Sequence, residues 1–205
     1  MFEQGHHKLI LASASRARAN LLEQTGLSFE IQPANIDEGA IKAVFQSGDA
    51  KGDPADIAEI LAETKALEIA KKNTDALIIG ADQVLAVGDD LFDKPKNKDE
   101  AYTTLFKLRG KEHKLISAIS IAKNEEILWR HSAEAKLTMR NFSPEFLGQY
   151  LAHCGDDVMT SVGCYQLESV GVHLFEEIKG DYFTILGFPL LPLLSYLREI
   201  NWIRQ

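Results

Sequence analysis

Two hydroxyls and two guanidiniums lie within six residues in Ser13-Ala14-Ser15-Arg16-Ala17-Arg18, directly after the apolar run Lys8–Ala12. A Ser-x-Ser pair by itself reads as a helix cap. With Arg18 in the first turn of the helix that follows, unpaired backbone N–H groups and a guanidinium can together hold phosphate oxygens. Ser13, Ser15 and Arg18 therefore form a candidate triphosphate cradle.

Asp82 stands where the buried-strand run Ala76–Ala81 (ALIIGA) ends. A carboxylate is seldom kept in such apolar surroundings without a partner or a task. Mg²⁺ prefers carboxylate oxygens and retained waters, so Asp82 and Glu38 are candidate ligands for a divalent cation, Mg²⁺ or Mn²⁺, facing substrate phosphates. Lys65 and Lys94 could add positive charge there, although by pattern alone each reads as a solvated lysine. The histidines at 6, 7, 113, 131, 153 and 173 form no His-x-x-x-His pair, which argues against a zinc hydrolase, and no G-x-x-x-x-G-K-[ST] phosphate loop occurs.

Positioning these groups requires strands and helices in alternation. Lys8–Ala12 reads as a strand, Arg16 to about Thr25 as a helix stopped by Gly26, and Ser28–Gln32 as a second strand. A polar stretch from Asp37 to Asp53 reads as a loop over a cleft, with a short helix available at Ala40–Gln46. From Pro54 to about Asn73 the apolar residues recur at helical spacing. Helices are further expected at Lys98–Leu108, from Ser143 to about Cys154 and near Leu190–Ile200. Long strands are expected at His113–Ala122 and Ile127–Met139, joined by the Asn124-Glu125-Glu126 turn. The expected fold class is α/β, a single domain spanning residues 1–205.

The chain has 205 residues, 45% hydrophobic and 25% charged, with a net charge of -8. That balance disfavours binding to nucleic-acid backbones, which rests on Lys and Arg. No apolar run is long enough for a membrane span. The N-terminus has no export-signal pattern, so a cytoplasmic location is expected. Cys154 and Cys164 are too few for a disulfide framework and read as reduced thiols.

Taken together in order, LILASASRARANLL, IIGADQVLAVGDDLFDKP, LRGKEH and VGCYQLESVGVHLFEEIKGDYFTILGFPL resemble the Maf family of nucleotide pyrophosphatases over nearly the whole chain. The resemblance implies an elongated mixed sheet with flanking helices, two lobes around a cleft, a relationship to inosine-triphosphate pyrophosphatases, and a homodimer among the expected assemblies. It implies metal-dependent hydrolysis of a nucleoside triphosphate between the α and β phosphates, giving a monophosphate and pyrophosphate, as house-cleaning of nucleotide pools. Arrest of cell division is the family's other attributed role, so a nucleotide-sensing regulator without catalysis is the alternative reading. By resemblance Asp82 is the general base, Ser13 and Arg18 bind phosphate, Glu38 is the first acidic motif, and Lys65 and Lys94 are the two basic positions. Asp181 falls in the family's Gly-Asp segment, either at the site or in a structural turn.

The usual Ser-x-Ser-Pro-Arg-Arg signature is altered here, since Arg16 and Ala17 replace Pro and the first Arg. In the family, the position of Ala17 carries Arg in the thymidine and uridine triphosphate subgroup and Trp in the 7-methylguanosine triphosphate subgroup. Ala17 matches neither, whereas Gln83 and Glu168 match the methylguanosine subgroup. A carboxylate such as Glu168 can accept from both N1–H and N2–H₂ of guanine, while thymine and uracil would present it with acceptors.

Overall fold

The computed structural model describes residues 8–46 and 52–203; His6, His7 and part of the expected loop, residues 47–51, lie outside them. The strands are β1 (Leu9–Leu11), β2 (Glu30–Ile31), β3 (Leu77–Val87), β4 (Asp90–Phe92), β5 (Glu112–Lys123), β6 (Glu126–Met139) and β7 (Phe175–Lys179). The α-helices are α1 (Arg16–Glu23), α2 (Glu38–Gln46), α3 (Pro54–Ala70), α4 (Lys98–Leu108), α5 (Pro144–Cys154), α6 (Tyr182–Ile185) and α7 (Leu190–Glu199). Among the described residues the strands form one mixed sheet in the order β2-β1-β3-β5-β6-β7, with β4 also on β3. β1 runs parallel to β2 and β3, and the remaining pairs are antiparallel.

β3 differs from the sequence expectation in the way that matters most. The apolar run predicts a strand stopping before Asp82, yet β3 continues to Val87, so Asp82 lies in mid-strand opposite Ala118. Antiparallel pairing with β5 from Ile78 to Ala86 carries the backbone through the polar Asp82-Gln83 pair. Pairing on the second edge is interrupted. β1 covers Leu77–Ile79 and β4 covers Leu85–Val87, so, among the described residues, 80–84 have no strand partner on that side.

Alternation along β3 sends successive side chains to opposite faces. Leu77, Ile79 and Ala81 join a core with Leu21 and Leu22 of α1 and Leu193 and Leu197 of α7. Val84 and Ala86 pack with Ile57, Ala58, Leu61 and Ala62 of α3. α3 begins as its sequence dictates, with Asp53 accepting from Ala55 N–H and Pro54 in the first turn. It lies unusually close to β3 because Gly80 has no side chain: a Cβ there would fall 2.1 Å from the carbonyl oxygen of Ala62 and 2.7 Å from the nitrogen of Ala66.

A further core lies toward the other end of β5 and β6, where Leu115, Leu137 and Met139 meet Leu105 of α4 and Leu147 of α5. His113 is buried there, with Nε2 2.7 Å from Tyr165 Oη and, among the described residues, no hydrogen-bond partner for Nδ1. Burial pushes its pKa down to about 4. The two thiols are unpaired with each other; Cys164 is buried and pushed up to about 12.

Two outcomes follow from the packing. Gly80→Ala forces α3 off the sheet at a backbone contact, an overpacking cost of about 1–3 kcal/mol, visible in calorimetry as a Tm lower by roughly 2–12 °C. His113 is neutral in the folded chain between pH 4 and its ordinary value of 6.5 but protonated when unfolded. The unfolded state then binds more protons, so acidification across that window lowers stability, by up to about 3 kcal/mol. Urea midpoints measured from pH 7 to pH 4 should fall less steeply in His113→Phe than in the parent; equal slopes would contradict this assignment.

Candidate functional site

The unpartnered edge of β3 at residues 80–84 is where the charged groups converge. Unpaired strand edges demand hydrogen bonds from elsewhere. Here the carbonyl of Ala81 accepts from Arg18 Nη1 at 2.9 Å. The same Nη1 donates to Ser13 Oγ at 3.0 Å, and Nε donates to the carbonyl of Gly187 at 2.8 Å. Arg18 is buried, and desolvation lowers its pKa against the opposing pull of Asp82 and Glu38. The three bonds use Nε–H and both hydrogens of Nη1, leaving Nη2 for another acceptor. Ser13 Oγ also accepts from Ser15 N–H at 3.3 Å, so its hydroxyl hydrogen remains to donate.

On the α3 face of the strand, Lys65 Nζ is bonded to Asp82 Oδ1 and, at 2.7 Å, to Glu38 Oε1. The Lys65 and Asp82 side chains are only 10% and 8% exposed, and Glu38 is 44% exposed. Glu38 is in the first turn of α2, which begins two residues before the short helix expected at Ala40–Gln46. Burial raises its pKa, but the Lys65 hydrogen bond and the charges of Lys65, Lys42 and Lys94 outweigh that and hold it below the ordinary value. Lys94 follows β4, beyond the far side of the gap. Desolvation, then repulsion from Arg18, lowers its pKa, with Glu38 opposing. The interruption between β1 and β4 thus gathers Ser13, Arg18, Glu38, Lys65, Asp82 and Lys94.

Gln83 points to the other face, toward α6. Its Nε2 donates to Ser117 Oγ and the carbonyl of Ile185, both at 3.0 Å, with a longer contact of 3.2 Å to the carbonyl of Thr184. α6 is capped by Asp181, whose Oδ2 accepts from Thr184 N–H and Thr184 Oγ1–H. That gives Asp181 a structural task at the helix start. The turn after α6 needs φ +86° at Gly187, and a Cβ there would sit 3.4 Å from Arg18 Nη2 and 3.5 Å from Gln83 Cδ. Arg18 and Gln83 therefore flank a single glycine.

The remaining expected residues are more peripheral. Ser15 Oγ accepts from Arg18 N–H at 3.4 Å, capping α1. Ala17 is half-buried in the first turn of that helix. Glu168 is exposed in a turn and, among the described residues, makes no hydrogen bond or ion pair with Arg18 or Gln83. Sequence reasoning passed over Ser117, Thr184 and Gly187. For Gly187 a signal existed, a glycine ahead of an apolar helix, whereas the carbonyls of Thr184 and Ile185 are backbone groups of any residue type.

The donor set suits a hard divalent cation: carboxylate oxygens of Asp82 and Glu38, with Lys65 engaging one oxygen of each. No group of three or more His, Cys, Asp or Glu able to hold a metal occurs among the described residues. Any such ion would therefore rely on substrate and water oxygens, a Mg²⁺-like pattern rather than a protein cage. A recess of about 1010 Å³ shares Lys94 but lies along Asp89–Asn97 and α4. Its charged residues include Lys96, Lys107, Lys111, Asp93, Asp99 and Glu100. Those acids and lysines are mixed and exposed, so the buried cluster on the β3 edge is the better candidate for chemistry.

The family model described as Maf-like protein matches residues 8–200. The chain is 47% identical over 193 residues to the 7-methyl-GTP pyrophosphatase of Brucella abortus, covering 94% of this chain and 96% of that one. Against the protein of the same name from Rhizobium meliloti it is 48% identical over 195 residues, covering 95% and 97%. It is 47% identical over 190 residues to the nucleoside triphosphate pyrophosphatase of Paramagnetospirillum magneticum, covering 93% and 97%. Among solved structures, the Staphylococcus aureus Ham1 protein aligns with a TM-score of 0.42 at 15% identity, covering 65% of this chain and 72% of that one.

Lys65→Met would leave the Asp82 carboxylate buried without its cation. Removing one partner of a buried pair costs about 3–5 kcal/mol, and the Glu38 share is smaller because water screens it. Denaturant titration should show that loss, and adding Asp82→Asn to Lys65→Met should recover part of it. A double variant no more stable than Lys65→Met would show that the pair is not what holds α3 and β3 in register.

Proposed function

This chain belongs to the Maf-like protein family, and we propose that it is a nucleoside triphosphate pyrophosphatase that releases a nucleoside monophosphate and pyrophosphate. The observation that carries this reading is the buried Lys65–Asp82 pair with Glu38, set beside Arg18 on an unpartnered strand edge. Such a cluster combines a base, cations for phosphate oxygens and oxygen donors for a divalent ion. The pyrophosphatase names of the Brucella, Rhizobium and Paramagnetospirillum relatives support the same reaction class.

In this reading the triphosphate is held by Arg18 Nη2, the Ser13 hydroxyl and the open first-turn N–H groups of α1. Lys94 adds charge from the opposite side of the gap. The Lys65 bond engages Asp82 Oδ1, and the Asp82 carboxylate takes the proton as a water oxygen attacks the α-phosphorus. The bond to the bridging oxygen breaks, and pyrophosphate leaves with its charge opposed by Lys65, Lys94 and Arg18. Mg²⁺ or Mn²⁺, held by Asp82 and Glu38, would supply charge neutralisation at the phosphates when bound. The base is a guanine, methylated or not, because the Gln83 carbonyl oxygen offers an acceptor to its N–H donors. This suits removal of modified nucleotides from the cytoplasmic pool.

Purified protein incubated with canonical and 7-methylated nucleoside triphosphates plus Mg²⁺ or Mn²⁺ should release pyrophosphate, detected directly, and not orthophosphate. Asp82→Asn should lower kcat by roughly 10²–10⁴-fold while nucleotide binding persists. Undiminished turnover in that variant would remove Asp82 from the chemistry. Tight binding without hydrolysis by the parent protein would instead favour a nucleotide-sensing regulator.

A further inference from the structure

Ser117 is fully buried on β5, in register opposite Gln83 on β3. Its hydroxyl donates to the carbonyl of Thr184 at 2.8 Å and, with that hydrogen committed, presents a lone pair to Gln83 Nε2 at 3.0 Å. Gln83 Nε2 has two hydrogens, and the acceptors at 3.0 Å are two: Ser117 Oγ and the carbonyl of Ile185. The carbonyl of Thr184, at 3.2 Å, is a third and weaker contact. The nitrogen and oxygen of an amide exchange places on a half-turn of the side chain. Here the exchange would set Oε1 against two backbone carbonyls and against a hydroxyl whose hydrogen already points elsewhere. All three neighbours reject an oxygen, so the orientation is determined by its surroundings.

We infer that Ser117 is a positioning residue for base selection, holding the Gln83 amide so that its carbonyl oxygen, and not its NH₂, is offered to the nucleotide. Ser117 touches no substrate; it acts through Gln83. The site then reads a hydrogen-bond donor on the base at this point and disfavours an acceptor. α6 is part of the same device. Asp181 caps it, Thr184 and Ile185 aim their carbonyls at the amide, and Gly187 turns the chain so that its own carbonyl holds Arg18. The inference rests on the reading of this site as a nucleotide pyrophosphatase with Gln83 facing the base.

Steady-state kinetics on the full chain with 7-methyl-GTP, GTP and ATP test it, ATP being the control that presents an acceptor at N1 where guanine presents a donor. Ser117→Ala should lower the kcat/KM ratio of the guanine nucleotides to ATP about tenfold, the worth of one ordinary hydrogen bond. The change should be carried by KM, with kcat on saturating 7-methyl-GTP held within about twofold. A ratio equal to that of the parent overturns the inference, as does a uniform fall in kcat for every nucleotide, which marks a purely structural role. The shape-matched pair Ser117→Thr and Ser117→Val separates hydroxyl from packing. Thr must keep the parental ratio and Val must lose it, and if both behave alike the inference fails, including in the case where Ser117→Ala does not fold. Failure of the underlying reading is distinguishable, because the parent protein would then release no pyrophosphate from any of the three nucleotides.

Discussion

A lysine ammonium that is almost wholly out of water must be matched by negative charge, and Lys65 is matched by Asp82 and Glu38 from two other elements. Half-completed, such a cluster is worse than none, because a buried charge without its partner carries the full desolvation penalty. Three segments therefore have to arrive together: α3 with the lysine, β3 with the aspartate, and the start of α2 with the glutamate. Gly80 sets the distance between the first two by allowing α3 to touch the strand backbone. The register with β5 then fixes where along β3 the carboxylate appears. Arg18, held by three oxygen acceptors, lies at the open edge beside this cluster.

This dependence explains which features could be read from the amino-acid order. Asp82 stood out because a charge within an apolar run is costly, and the Ser13 to Arg18 segment stood out because hydroxyls and a guanidinium surround a helix start. The apolar pattern ends before β3 does for the same physical reason that it singles out Asp82. A polar pair interrupts the apolar pattern, while the backbone pairing with β5, invisible to any local window, carries the strand onward. Lys65 read as an ordinary helical lysine. Its burial depends on Gly80, and a glycine within a strand run is itself a sign that another chain segment comes close.

The hydrogen bonds around α6 were the least legible part of the site. A four-residue helix leaves no periodicity to detect, and the carbonyls of Ile185 and Gly187 act regardless of the side chains attached to them. Asp181 and Gly187 bracket the segment chemically, one capping its start and the other turning its exit. What lies between them is a short frame that grips two long side chains arriving from β3 and α1. Rotamer freedom that a half-buried glutamine would otherwise keep is removed before any ligand arrives, so that ordering cost is already met in folding.

Asp82 and Gln83 are neighbours in sequence, and the pleat of β3 sends one toward α3 and the other toward α6. Had β1 and β4 met, a continuous ladder would have walled these two faces off from each other. Because they do not meet, one molecule can wrap around the rim of the sheet, with an end on either side. Under the proposed function, chemistry and recognition fall on opposite sides of one ribbon, so the recognition side can be rebuilt by substitution while the neighbours of Asp82 stay as they are.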